Sequence, residues 1–205
     1  MTSLILYFIL IIVLVYIIYM IFYKYSDIEY VISDIDNKTY IVRRGNKDSK
    51  FLKESANILA IINNKIEILI KYLLEKYGND DSKIYFIKHL KENYNPYMIS
   101  EAYVDPKYTT YTVDKHDMRI CLRTRDANEN IYDINTLMYV CLHELAHMAN
   151  YSRDGEPIIG HGDEFKMIFK FLVEESIKLQ LYKYIDYTNM PQEYCKMIIN
   201  SNILN

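Results

Sequence analysis

The sequence has few cysteines and no excess of positive charge. Its 205 residues include three cysteines, Cys121, Cys141 and Cys195, and none of them forms a C-x-x-C pair. This odd and sparse set argues against a disulfide framework and against a cysteine-ligated zinc, so we expect three small buried hydrophobic residues. The formal net charge of -3 provides no basic field for phosphate backbones, and nucleic acid is therefore not an expected partner.

Charge is absent from the first 23 residues. Residues 4–23 read LILYFILIIVLVYIIYMIFY, with no Pro, no Gly and no polar face. A helix of this length covers about 30 Å, the thickness of a hydrocarbon core. No basic residue precedes the run, unlike in a signal peptide. The segment predicts a transmembrane helix, with the lipid bilayer as a partner and a single-pass protein whose domain lies on the cytosolic side.

The remainder predicts one α+β domain that is mostly helical. Residues 24–50 form a charged juxtamembrane segment with a candidate hairpin, and residues 51–205 form the domain. Apolar residues at helical spacing predict helices over 51–77 and 84–92, from about Asp133 to Asn150, and from Asp163 onward. Between them, β-prone residues predict a hairpin over 108–123.

One short motif carries the chemistry. His143 and His147 lie four residues apart and flank Glu144 and two apolar residues, in the pattern H-E-x-x-H. On a helix this spacing puts both imidazoles on one face, close enough to share a Zn²⁺ ion. Glu144 then lies where it takes a proton from a zinc-activated water, so the motif predicts a catalytic base beside a metal site.

The third ligand is less constrained by the pattern. Catalytic zinc usually takes three protein ligands. Candidates that follow the motif are His161, Asp163, Glu164, Glu174 and Glu175. We favour His161, since the flanking Gly160 and Gly162 allow a tight turn towards the metal.

The motif and its surroundings resemble a known family. His143 to His147, followed by Gly160-His161-Gly162-Asp163-Glu164-Phe165, is similar to the WLM and SprT-like zinc metallopeptidases, and more closely to WLM-type proteins of large DNA viruses. The resemblance implies a small zincin-like domain in a viral protein, in which His143, His147 and His161 bind zinc and Glu144 is the base.

Together these observations predict a membrane-anchored zinc metalloendopeptidase that hydrolyses protein or peptide substrates. Two alternatives stay open: a catalytically inactive zincin-fold membrane scaffold, and a protease that acts on DNA-bound proteins. Tyr108 and Tyr111 are guesses for the group that stabilises the oxyanion.

Overall fold

The computed structural model describes residues 2–25, 27–45, 47–103 and 109–204, with side chains described only from residue 5 to residue 20 in the first helix. Over this part of the chain the fold is α+β, with five helices and three small sheets. The elements in chain order are α1 (Thr2–Tyr25), β1 (Ile28–Ile32), β2 (Thr39–Arg43), α2 (Ser49–Tyr77), α3 (Ile84–Asn93), β3 (Ile99–Glu101), β4 (Tyr111–Val113), β5 (Asp117–Ile120), α4 (Ile134–Ala149), α5 (Asp163–Lys178), β6 (Gln192–Tyr194) and β7 (Met197–Ile199).

The first helix corrects the prediction for residues 4–23. The described side chains of α1, from Ile5 to Met20, are exposed and apolar. Among the residues that the structure describes, none of the helices combines the length and the apolarity that a bilayer crossing requires. The predicted transmembrane helix was therefore wrong, and the single-pass membrane location is not supported.

Four helices build the core, and all were predicted from their spacing. The apolar face of α2 is buried along its length, from Leu52 to Leu73. Asp48 caps α2 by accepting the Phe51 N–H, and Asp133 caps α4 by accepting N–H groups of the next turn, which fixes where each helix starts. Helix α4 packs against α2, α3 and α5, so most of its side chains are buried.

A three-stranded sheet lies beside α4. Its order is β3-β5-β4, with β3 parallel and β4 antiparallel to the central β5. The predicted hairpin over 108–123 is confirmed for its paired part, β4 and β5, whereas residues 104–108 lie outside the described residues. Strand β4 occupies one edge of the sheet and contacts α4, which brings a strand next to the H-E-x-x-H motif.

A buried ion cluster joins the β1–β2 hairpin to this sheet. Arg123, whose side chain is fully buried, donates from Nε and Nη2 to the two carboxylate oxygens of Glu101 at 2.7 Å each. Glu101 also accepts the backbone N–H of Arg43 at 2.7 Å, and Arg123 donates to the Arg43 carbonyl. The hairpin within residues 24–50 is thus packed into the same core, where Tyr40 and Val42 are buried.

The C-terminal hairpin of β6 and β7 was not predicted, and neither was its covalent attachment. A disulfide joins Cys195, in the turn between these strands, to Cys121 at the end of β5. The expectation that all three cysteines are simple hydrophobic residues was wrong for this pair and holds for the buried Cys141. The disulfide fixes the hairpin against the end of the three-stranded sheet.

We expect Glu101→Gln to destabilise the fold strongly. The amide removes the carboxylate that pairs closely with the buried Arg123 guanidinium and leaves Glu129, at 3.6 Å, as the remaining negative charge. Breaking a buried pair of this kind costs about 3–5 kcal/mol. The matched control is Glu29→Gln, because Glu29 forms an exposed ion pair with Arg44 at 2.6 Å. Urea denaturation of the full chain measures both free energies of unfolding. Equal losses in the two variants would show that burial of the Glu101 pair does not matter.

Candidate metal centre

The first two predicted ligands lie on one face of α4. His143 and His147 are half-buried, and their ring centroids are 4.9 Å apart. The neighbouring positions Leu142, Leu145 and Ala146 are fully buried in the core. The packing of α4 therefore fixes the rotation of the helix and points the two imidazoles out of the core at the same place.

The third imidazole, that of His161, is positioned by a loop that hydrogen bonds hold against the end of α4. After α4 ends, the Asn150 side chain and backbone pair with Ile158, which returns the chain towards the helix. The Lys115 ammonium, in the turn between β4 and β5, donates to the carbonyls of His147, Asn150 and Ile158 at 2.7–3.3 Å. This clamp holds the end of α4 and the returning strand of the loop together, just before His161.

Only one of the two glycines beside His161 needs to be glycine. Gly160 has φ of +89°, in the region that side chains rarely adopt, so the predicted tight turn is confirmed there. Gly162 has φ of -65° and ψ of -173°, an extended conformation that any residue adopts, and it caps α5.

The three histidines converge on one point. The Nε2 atoms of His143, His147 and His161 form a triangle with sides of 3.2, 3.1 and 3.1 Å. Each Nε2 carries either one proton or one lone pair, so three nitrogens in a triangle do not satisfy one another by hydrogen bonds. A cation that accepts all three lone pairs does, and ligands about 2.0–2.1 Å from a tetrahedral ion lie roughly 3.3 Å apart. The donor set therefore fits a metal ion.

An aromatic ring supports all three imidazoles. Phe165, in the first turns of α5, is buried, and its ring centroid lies 4.9, 4.4 and 4.7 Å from those of His143, His147 and His161. Phe169, one turn further along α5, contacts His143 at 5.3 Å. These rings restrict the rotation of the imidazoles and exclude water from one side of the site.

Glu144 is the buried carboxylate of the site. It is 6% exposed, and its Oε2 accepts the hydroxyl of Thr112 in β4 at 2.8 Å. Burial raises the pKa of Glu144 to about 7, while the hydrogen bond from Thr112 opposes that rise. A carboxyl group with a pKa near neutrality is suited to accept and return a proton, which is what a general base requires.

The other candidate ligands are placed elsewhere. Glu175 is buried against Lys76 at 3.0 Å and Lys178 at 2.6 Å, and Glu164 accepts the hydroxyl of Tyr85. Within the described part of the chain, the group able to hold a metal consists of the three histidines, without Asp163 or Glu174. Tyr108 lies outside the described residues, and the role guessed for Tyr111 stays a prediction.

Sequence reasoning missed Thr112, Lys115 and Phe165. Thr112 and Lys115 belong to a hairpin more than 25 residues before the motif, and no local spacing links them to it. Phe165 offered one signal, because it lies four residues after His161 at the start of a helix whose apolar face continues with Phe169.

Comparisons with known proteins find viral relatives. The uncharacterized protein R325 of Acanthamoeba polyphaga mimivirus is 41% identical over 180 residues, which cover 87% of this chain and 86% of the relative. Protein 136R of Invertebrate iridescent virus 6 is 26% identical over 149 residues, 72% of this chain and 78% of the relative. Protein 042R of Invertebrate iridescent virus 3 is 42% identical over 74 residues, 36% of this chain and 42% of the relative. No family model and no solved structure matches the chain.

The pKa values of the site determine how the stability of the metal-free protein depends on pH. Burial, together with repulsion from the neighbouring imidazoles and, for His147, from the Lys115 ammonium, lowers the pKa of His143 to about 3 and that of His147 to about 4. In the unfolded chain these histidines take up protons below about pH 6.5, whereas the folded site does not. Their contribution to stability is complete above pH 6.5 and is lost as the pH falls towards 4. Glu144 has the opposite effect: its contribution to stability increases as the pH falls from about 7 to 4.5. In this range Glu144 is protonated in the folded state and still ionised in the unfolded chain.

We therefore expect the melting temperature of the chelator-treated full chain to fall between pH 6.5 and 4.5, since two histidines outweigh one glutamate. The fall is steeper in Glu144→Gln, which removes the opposing contribution. His89→Gln serves as the control, because His89 stacks on Tyr151 outside the cluster. The same slope in Glu144→Gln and in the unchanged protein would contradict the assignment of a neutral, buried Glu144.

Proposed function

We propose that this chain, which belongs to the same family of viral proteins as R325 of Acanthamoeba polyphaga mimivirus, is a zinc-dependent peptidase. The observation that carries the proposal is the pairing of two features. Three imidazole nitrogens lie within 3.2 Å of one another, and the buried carboxylate of Glu144 opens on the same cavity as His143. Hydrolysis by a metal and a base needs both.

The donor set supports zinc as the metal. Three neutral imidazoles are a common ligand set for catalytic zinc, in which one position is left for water or substrate. His143, His147 and His161 would hold the ion. When bound, the ion supplies Lewis acidity, which lowers the pKa of water and polarises a carbonyl.

The residues of the chain itself supply the proton transfers. Glu144 accepts a proton from the attacking water and returns it to the leaving amine. The Thr112 hydroxyl fixes one carboxylate oxygen, so the other stays available for the proton. Phe165 and the buried face of α4 keep this region poor in water, which strengthens the electrostatic interactions that stabilise the transition state.

Two further observations favour a peptide as the substrate. The motif with its distant Gly-His-Gly resembles WLM and SprT-like metallopeptidases. Strand β4, which carries Thr112, lies at the edge of its sheet beside α4. An extended peptide pairs with an edge strand through backbone hydrogen bonds, and this would place its carbonyl groups next to the histidines.

We expect the full chain to bind one zinc ion and to hydrolyse denatured casein. In Glu144→Gln the zinc stays and hydrolysis falls by about 10²- to 10⁴-fold, because the base is lost and the ligands are not. In His161→Ala zinc affinity falls, while His89→Ala, changed outside the cluster, keeps its zinc. Metal analysis by mass spectrometry and release of fluorescent casein fragments measure the two effects. Zinc binding without hydrolysis of any protein substrate would instead favour the scaffold alternative.

We also expect Thr112→Val to move the acidic limb of the pH–rate profile to higher pH. The hydroxyl of Thr112 lowers the pKa of Glu144, so its removal raises that pKa and the base becomes protonated at higher pH. Thr124→Val is the control, since Thr124 bonds to Asp126 in a loop outside the site. An unchanged limb in Thr112→Val would show that Thr112 does not act on the base.

A further inference from the structure

We propose that a cavity beside Glu144 receives an apolar side chain of the substrate, which makes this a peptidase selective for a bulky aliphatic or aromatic residue next to the scissile bond. The proposal rests on the peptidase function proposed above and adds its substrate class. The cavity, called here the Glu144 cavity, has a volume of about 280 Å³ and is bounded at one end by His143 and Glu144.

The walls of the Glu144 cavity are mostly apolar and come from α4, α5, the segment before β4, and the β6–β7 hairpin with the residues that follow it. The apolar side chains include Val140, Phe169, Met197 and Ile199. Val140 lies three residues before His143, on the same face of α4. A substrate bound with its carbonyl at the histidines therefore has a neighbouring side chain within reach of this cavity.

The volume fits one side chain. A cavity of about 150 Å³ is large enough for a benzene ring, whereas pockets for drug-sized molecules start at roughly 300 Å³. The Glu144 cavity lies between these sizes, so it has room for a Leu, Met or Phe side chain. An Asp or Glu side chain would lose its hydration there without a cation among the described wall residues to replace it.

The wall formed by the C-terminal hairpin is held rigidly. Its two-residue turn, Cys195-Lys196, has positive φ values of 51° and 67°. The Cys121–Cys195 disulfide and the hydrogen bond from the Cys195 N–H to the Tyr132 hydroxyl, at 2.7 Å, fix the turn. The Tyr194 hydroxyl, paired with that of Thr110, fixes the strand before it. A wall fixed at these points selects by shape instead of adapting to each side chain.

Met197 is the residue through which the selectivity is tested. Its side chain is half exposed, so it borders the Glu144 cavity without belonging to the core, and a change there leaves the fold intact. Met197→Lys places an ammonium group at the mouth of the cavity. The variant should favour an acidic side chain over an apolar one, because the ammonium at the mouth attracts a carboxylate and the wall loses apolar surface.

The experiment is digestion of a complex peptide mixture by the zinc-loaded full chain, with the cleavage sites identified by mass spectrometry. The unchanged protein should cut beside Leu, Ile, Met or Phe at least 10-fold more often than beside Asp or Glu, always on the same side of the bond. Met197→Lys should shift the ratio of acidic to apolar residues at that one position by at least 10-fold. The matched control is Met190→Lys, because Met190 is an exposed methionine in the loop before β6 and does not line the cavity.

The outcomes separate the two proposals. Cleavage without an apolar preference on either side of the bond, or a preference that Met197→Lys leaves unchanged, overturns the cavity proposal and leaves the peptidase standing. An equal shift in Met190→Lys also overturns it, since the change would then reflect added charge alone. The absence of any cleavage by the zinc-loaded protein overturns the peptidase and, with it, the selectivity.

Discussion

The site depends on the burial of α4. This helix packs against α2, α3 and α5, so its rotation is fixed by the core, and the two histidines and the glutamate it carries emerge at the edge of that core. The same burial disfavours charge, which is why the pKa of His143 falls and that of Glu144 rises. Neutral imidazoles are what a metal needs as ligands, and a carboxyl group poised near pH 7 is what proton transfer needs. One packing arrangement provides both.

The elements that could be predicted from the sequence were those with a strong local signal. The helices α2 to α5 follow from apolar spacing, with a capping residue near Asp133 as a second signal for α4, and the hairpin of β4 and β5 follows from β-prone residues. Strand β3 has only three residues and pairs in parallel with β5, which is distant in the sequence. Three residues are too few to show the alternation of apolar and polar residues that indicates a strand. The turn of β6 and β7 uses Cys195 and Lys196 at positive φ, where Gly or Asn would have been the signal. For residues 4–23, an uninterrupted apolar run predicts a membrane span, which the described residues do not support.

The candidate site was predicted where its residues are close in the sequence and missed where they are close only in space. The four-residue spacing of His143 and His147 on a helix implies their contact, and the glycine before His161 indicates a turn. The choice among the acidic candidates needed the structure, because only there does Glu175 pair with two lysines. Thr112 and Lys115 reach the site through the pairing of β4 with β5 and the packing of that hairpin on α4. Their positions in the sequence therefore do not indicate that they contact the site.

The disulfide has a topological consequence that extends beyond the hairpin it fixes. Because it links Cys121 to Cys195, residues 121–195 form a closed covalent ring of backbone and sulfur. The ring contains His143, Glu144, His147 and His161. Residues 153–157, between α4 and the third histidine, are exposed and belong to the same ring. A single proteolytic nick in that loop would open the ring without separating its halves. The two fragments would part only after the disulfide is reduced as well.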